Sequence, residues 1–198
     1  SLDKYIREAE VRPFKGKLIP EMSSVRTNVR KETESQPPRF WYMLPKLTKR
    51  HTGSLFIPRV NGDKVIARIN ENDYVIDANF ITVWLDSSSP FDEYALLALL
   101  NSQWWRLLFE ENGTVLGGGA LKLDAVQMKK VFIPSVSEEV LPKLSELGMC
   151  LCQRMVSDSK EIIRQIDTEI LKEAGVKSTG QALDQLSDFN EYYLNQRI

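Results

Sequence analysis

One repeating pattern constrains the last third of this 198-residue chain. From Ser137 to about Glu173, Val140, Leu144, Leu147, Leu151, Met155, Ile162, Ile166 and Ile170 recur at steps of three, four or seven. That spacing lines one face of a helix. It also approaches the seam of a coiled coil, so it predicts a long helix. The apolar stripe then has three uses: packing back on its own chain, dimerising, or docking a partner. Gly148 and the polar run Ser157–Ser159 weaken a continuous seam and favour packing back. Gly175 ends the pattern, and Gln181–Gln196 predicts one more short helix.

Upstream the periodicity changes to that of strands. Leu55–Val60 and Lys64–Ile69 flank Asn61-Gly62, a strong hairpin signal. Tyr74–Ile76 and Ala78–Leu85 continue the strand pattern. Ser87–Ser89 with Pro90 reads as a helix start, with a serine cap, proline in the first turn, and Asp92 and Glu93 near the positive end. A strongly apolar helical segment follows, from Leu96 to Leu108, which Asn101-Ser102 breaks in two, Ser102 capping the second half. Leu121–Leu123 and Val131–Ile133 predict two short strands around a helical turn at Ala125–Lys129. Residues 21–39 are polar, end in Pro37-Pro38 and read as a linker or long loop. The expected class is α+β. Residues 1–38 form an N-terminal strap or linker from a preceding domain. Residues 39–136 form a small, mostly antiparallel sheet with packed helices. Residues 137–198 form a helical extension, a long helix and a short helical tail.

Composition removes several classes of function. With 42% hydrophobic and 27% charged residues, the chain is too apolar to be wholly disordered. One histidine excludes a two-histidine metal or catalytic site, and two cysteines cannot staple a secreted scaffold. Cys150 and Cys152 point to different sides of a helix and read as reduced, apolar fillers. No run is long and apolar enough to span a membrane, and the charged N-terminus is unlike a signal peptide. A cytoplasmic location is expected. A start at Ser1 without methionine points to a piece of a longer protein.

The formal net charge of −1 conceals a split. Residues 1–68 carry 15 Lys/Arg against 7 Asp/Glu, and residues 69–198 carry 11 against 20. The split offers a basic surface to a polyanion, unless folding mixes the charges. Within Arg39–Arg68, the basic residues Arg39, Lys46, Lys49, Arg50, Arg59, Lys64 and Arg68 face the single acid Asp63. Such residues neutralise phosphates and, for arginine, read guanine edges. The aromatics Phe40, Trp41, Tyr42 and Phe56 are expected in the core rather than stacked on bases. His51 reads equally as a loop histidine or as a phosphate or base contact.

Gly117-Gly118-Gly119 lacks the Lys-Ser/Thr of a Walker loop and the strand context of a dinucleotide fingerprint. It is either a close-approach loop or a flexible turn. Asp73, Asp77 and Asp86 read as turn residues, and no catalytic constellation assembles. No metal site and no cofactor are expected in this chain.

Several segments, in order, resemble the C-terminal target-recognition domain of gamma-class adenine-N6 DNA methyltransferases. That family includes type IIG restriction–modification enzymes and is related to type I specificity subunits. RFWYMLPKL looks like the family's aromatic lead-in. SLFIPRVNGDKVIARINENDYVIDANFITVWL resembles its hairpin and strands. YALLALLNSQWWRLLFEENG is similar to its "LLNS" helix, and GGGALKLDAVQMKKVFIP to its closing "IP" segment. IDTEILKEAGV resembles the end of its last helix, except that Ala174 stands where the family often has an aromatic. The match spans about residues 39–176.

The resemblance implies a bacterial DNA-reading module without catalysis of its own. The S-adenosylmethionine loop and the N-P-P-Y-like tetrapeptide that hold cofactor and flipped adenine belong to a separate catalytic domain of the parent chain. The implied partners are double-stranded DNA and that catalytic domain, with no membrane. Charge and position nominate Lys46, Lys49, Arg50, Lys64 and Lys122 for phosphates. His51, Arg59, Asn61, Arg68 and Asn79 are nominated for base edges, and Gly117, Gly118 and Gly119 for close approach. The competing expectation is a protein-interaction module that docks a partner through the helix at 137–173.

Overall fold

The computed structural model describes residues 1–26, 29–43, 47–153 and 159–197. It is an α+β fold in two compact units, Ser1–Leu47 and Thr48–Ile198.

The first unit opens with helix α1 (Leu2–Val11) and holds a second short helix, α2 (Ser23–Arg26). Between them Phe14 and Lys17 exchange main-chain hydrogen bonds at 2.8 and 3.1 Å. Lys15 and Gly16 have φ of 49° and 77°, the two positive angles of a tight hairpin turn. The expected linker at 21–39 also folds back. Arg30 pairs with Arg39 and Thr33 with Gln36 in one register, which turns at Glu34-Ser35. The Arg30 guanidinium secures this finger through the Gln36 amide and the Pro37 carbonyl, the latter at 2.8 Å. Phe40 and Tyr42 stack at 5.5 Å but stay 47% and 46% exposed, so the expected core role fails for both.

The second unit is built around one helix. Strands β1 (Leu55–Pro58), β3 (Arg68–Ile69) and β4 (Phe80–Val83) form an antiparallel sheet in the order β3-β1-β4. β2 (Val60–Asn61), β5 (Thr114–Val115) and β6 (Leu121–Lys122) form a second, in the order β2-β6-β5. Helix α3 (Glu93–Leu100) is buried at every position from Ala95 to Leu100. A helix apolar all round must lie inside, and this one does. Leu96, Leu97 and Leu100 face Leu55, Ile57 and Ile81 of the first sheet. Ala95, Ala98 and Leu99 face Leu144, Leu147, Ile162, Ile166 and Ile170. Each such buried leucine or isoleucine contributes about 1.5–3 kcal/mol.

The long pattern at 137–173 resolves into two helices, α6 (Leu141–Gln153) and α7 (Lys160–Glu173). Both turn the same stripe onto α3 and onto each other, so one periodicity serves two elements. The part of the expected helix at 154–158 lies outside the described residues. At the crossing of α3 and α6, a Cβ on Gly148 would sit 2.0 Å from the Tyr94 carbonyl oxygen. Only glycine allows the two backbones so close. The tail is α8 (Thr179–Gln196), packed through Leu183 and Leu186.

Helix α4 (Gln103–Asn112) begins at Ser102, whose Oγ accepts the Trp105 N–H at 3.1 Å. Asn101 beside it clamps the strand edge. Its Oδ1 accepts the Ala67 N–H at 3.1 Å, and its Nδ2 donates to the Ala67 carbonyl at 3.2 Å. The Asn-Ser pair thus joins sheet to helix.

Three local expectations change. The cap of α3 is Asp92, accepting from Ala95 N at 2.7 Å, because Ser88 and Ser89 are used in the preceding turn. Tyr74–Ile76 is not a strand, since the Ile76 N–H goes to His51 O at 2.8 Å. Val131–Ile133 has no strand partner, and Phe132 is 88% exposed.

Candidate functional site

The chain passes from one sheet to the other at Arg59. Its N–H donates to Asn79 O at 2.9 Å, while its carbonyl accepts from Leu123 N at 2.7 Å. β2 and β6 then pair with Asn61 opposite Leu121, and β5 places Val115 opposite the same residue. With these antiparallel registers, residues 62–64 and 116–120 leave the second sheet at the same end. They form a two-loop tip.

The Asn61-Gly62 turn therefore differs from a tight hairpin. The pairs Leu55–Ile69 and Phe56–Arg68 are centred on Gly62. The ladder nevertheless stops early because β2 is taken by β6. Asn61 is only 5% exposed and its Nδ2 donates to Pro58 O at 2.7 Å. Burial removes Asn61 from base reading and makes it a structural turn residue.

The other tip loop is the glycine run. Gly118 and Gly119 have φ of 78° and 77°, and a Cβ at Gly117 or Gly118 would meet nothing within 4 Å. Gly117 and Gly118 are exposed, so this is a projecting turn. A short helix, α5 (Ala125–Met128), follows Asp124, whose N–H donates to the Gln127 side chain at 2.7 Å.

Asp124 also gathers two of the nominated bases. The Arg59 guanidinium bonds to its Oδ1 and to Ala78 O, and Lys122 Nζ lies 3.0 Å from its Oδ2. Hydrogen bonds from Arg59 and Lys122 hold the Asp124 carboxyl below the usual carboxylate range. Arg59 therefore braces the root of the tip rather than reaching outward, a correction to its expected base-reading role. Lys122 shares its charge with the same carboxylate. Asn79 is exposed, with its Nδ2 held by Asp77 Oδ2 at 2.9 Å.

Lys49, Arg50, Lys64 and Arg68 are all exposed. Lys49 and Arg50 lie in a single 3-10 turn (Lys49–His51), tied to β4 by Thr82 Oγ1 donating to Arg50 O at 2.7 Å. Lys64 and Arg68 lie on the β3 side, so these charges border the first sheet from opposite edges. His51 Nδ1 accepts the Thr48 N–H at 3.0 Å, which leaves Nε2 as the nitrogen for an outside contact. Lys46 lies outside the described residues.

Lys64 and Arg68 also line a cavity of about 630 Å³ together with Arg106, Lys160 and Arg164. Glu71, Glu161 and Glu191 line it too. The last three basic residues come from α4 and α7, far off in sequence, and no linear motif marks them. Burial lowers the pKa of Arg106 and Glu110 beside it raises it. Its Nη2 donates to Asp63 O at 2.7 Å, at the tip.

Among the described residues no group of three or more His, Cys, Asp or Glu could hold a metal ion. None of their helices is long and apolar enough to cross a membrane. Compared with family models, curated proteins and solved structures, the chain matches none.

Proposed function

We propose that this chain is the sequence-specific duplex-DNA recognition domain of a restriction–modification adenine-N6 DNA methyltransferase. It positions DNA for methylation by a catalytic domain carried elsewhere in the parent enzyme, where S-adenosylmethionine binds. The observation that carries this reading is the exposure of Lys49, Arg50, Lys64 and Arg68 around one sheet, next to a projecting two-loop tip. Lys49, Arg50 and Lys64 neutralise phosphates. Arg68 and His51 Nε2 reach base edges, and the Gly117–Gly118 turn approaches a groove. The chain itself performs no chemistry. Its grip fixes the duplex while the target adenine is extruded into the catalytic domain.

Selection of duplexes from a random library on the full 198-residue chain tests this reading. Enrichment of one short motif supports it, and uniform recovery at low salt overturns it. The interaction-module reading needs a free apolar stripe on 137–173. Leu144, Leu147, Ile162, Ile166 and Ile170 instead spend that stripe on α3, which favours DNA reading.

A further inference from the structure

The C-terminal end of α8 reaches beneath the tip. The side chains of Arg197 and Glu110 are 2% and 1% exposed. Arg197 Nε donates to Glu110 Oε2 at 2.6 Å, and its Nη2 bonds to Glu110 Oε1. The remaining terminal nitrogen, Nη1, donates to Gly62 O at 2.9 Å and to Gly119 O at 3.4 Å. One planar fork thus meets one carboxylate and one carbonyl from each tip loop. These two carbonyls are 57 residues apart in sequence, and their loops share no other side chain that bonds to both among the described residues. Leu116 N to Ala120 O, at 2.8 Å, closes the glycine loop on itself but does not tie it to Gly62.

We propose that Arg197 is a positioning residue: oriented by Glu110, its guanidinium sets the separation of the 62–64 and 116–120 loops. The last turn of α8 thereby controls the shape of the tip without touching DNA. The consequence for DNA rests on the proposed function, but the coupling of the loops does not.

Hydrogen exchange of the full chain, read over residues 59–65, 115–122 and 55–58, tests the coupling. Arg197→Lys keeps a charge for Glu110 but cannot span all three partners. Arg197→Met with Glu110→Gln removes both charges of the pair and leaves an amide oxygen for Arg106, whose Nε lies 4.0 Å from Glu110 Oε1. Both variants are expected to exchange about tenfold faster at both loops, with 55–58 unchanged. Unchanged loops, a response of one loop alone, or an equal rise at 55–58 would overturn the proposal. With a selected duplex, affinity should fall about tenfold at an unchanged salt slope, because a buried arginine neutralises no phosphate. A slope reduced by about one unit makes Arg197 a phosphate contact and overturns the positioning role. If the wild-type chain binds no duplex, the function fails while the exchange result still decides the coupling.

Discussion

Asp167 on α7 accepts the main-chain N–H of Gln103, the first residue of α4, at 2.9 Å and across 64 positions of sequence. It is fully buried, and its second oxygen has no hydrogen-bond partner among the described residues. Burial pushes its carboxyl up to about 7, and the Trp104 and Gln103 hydrogen bonds pull only part of the way back. In the unfolded chain an aspartate titrates near about 3.9. Between those values the folded form holds the extra proton. This group's contribution to stability therefore falls as pH rises from about 4 to about 7, and is flat above. Asp167→Asn should flatten that fall, read from urea midpoints at about pH 5 and about pH 8. Comparison with the wild type isolates Asp167 from Asp124, whose lowered pKa acts in the opposite sense.

Gly148→Ala should destabilise the second unit by about 3 kcal/mol, since its Cβ meets a backbone carbonyl and α3 and α6 must part. Gly180→Ala, in the first turn of α8 with nothing within 4 Å of the new Cβ, should stabilise by about 0.4–1 kcal/mol. Denaturant midpoints of both variants check the contrast.

Asn101→Ala should cost about 1–3 kcal/mol by leaving the Ala67 N–H and carbonyl without the amide that clamps them. Hydrogen exchange should rise first at residues 66–69. Equal loss across β1 and β4 would show that the clamp is not local.

Lys49→Ala and Lys64→Ala should each lower the salt slope of duplex binding by about 0.9, one phosphate contact apiece. Arg59→Met should instead reduce thermal stability with little change in slope, because its guanidinium is spent on Asp124 and Ala78. A salt titration of the three variants separates contact from scaffold.

Where a signal was local, the residues carried it. The Ser102 cap, the apolar run of α3 from Ala95 to Leu100 and the pairing centred on Gly62 follow from neighbours within one turn or one hairpin. Signals that depend on distant partners did not show. One stripe fitted both a single helix and the two helices α6 and α7, because both face α3. The β-branched run at Val131–Ile133 met no strand. Arg59 and Asp124 meet across 65 residues, so the neutralisation of a nominated base-reader was invisible in the charge count. The exposure of Lys49, Arg50, Lys64 and Arg68 followed from charge alone, whereas the gathering of Arg106, Lys160 and Arg164 around Lys64 required the fold.

The most direct test is the dependence of log Kobs on log salt for the full chain and a selected duplex. Contacts from Lys49, Arg50 and Lys64 predict a slope of about −2.7 or steeper, with tighter binding to the selected motif than to a scrambled duplex. A slope near zero, or equal affinity for both duplexes, would contradict recognition by this domain.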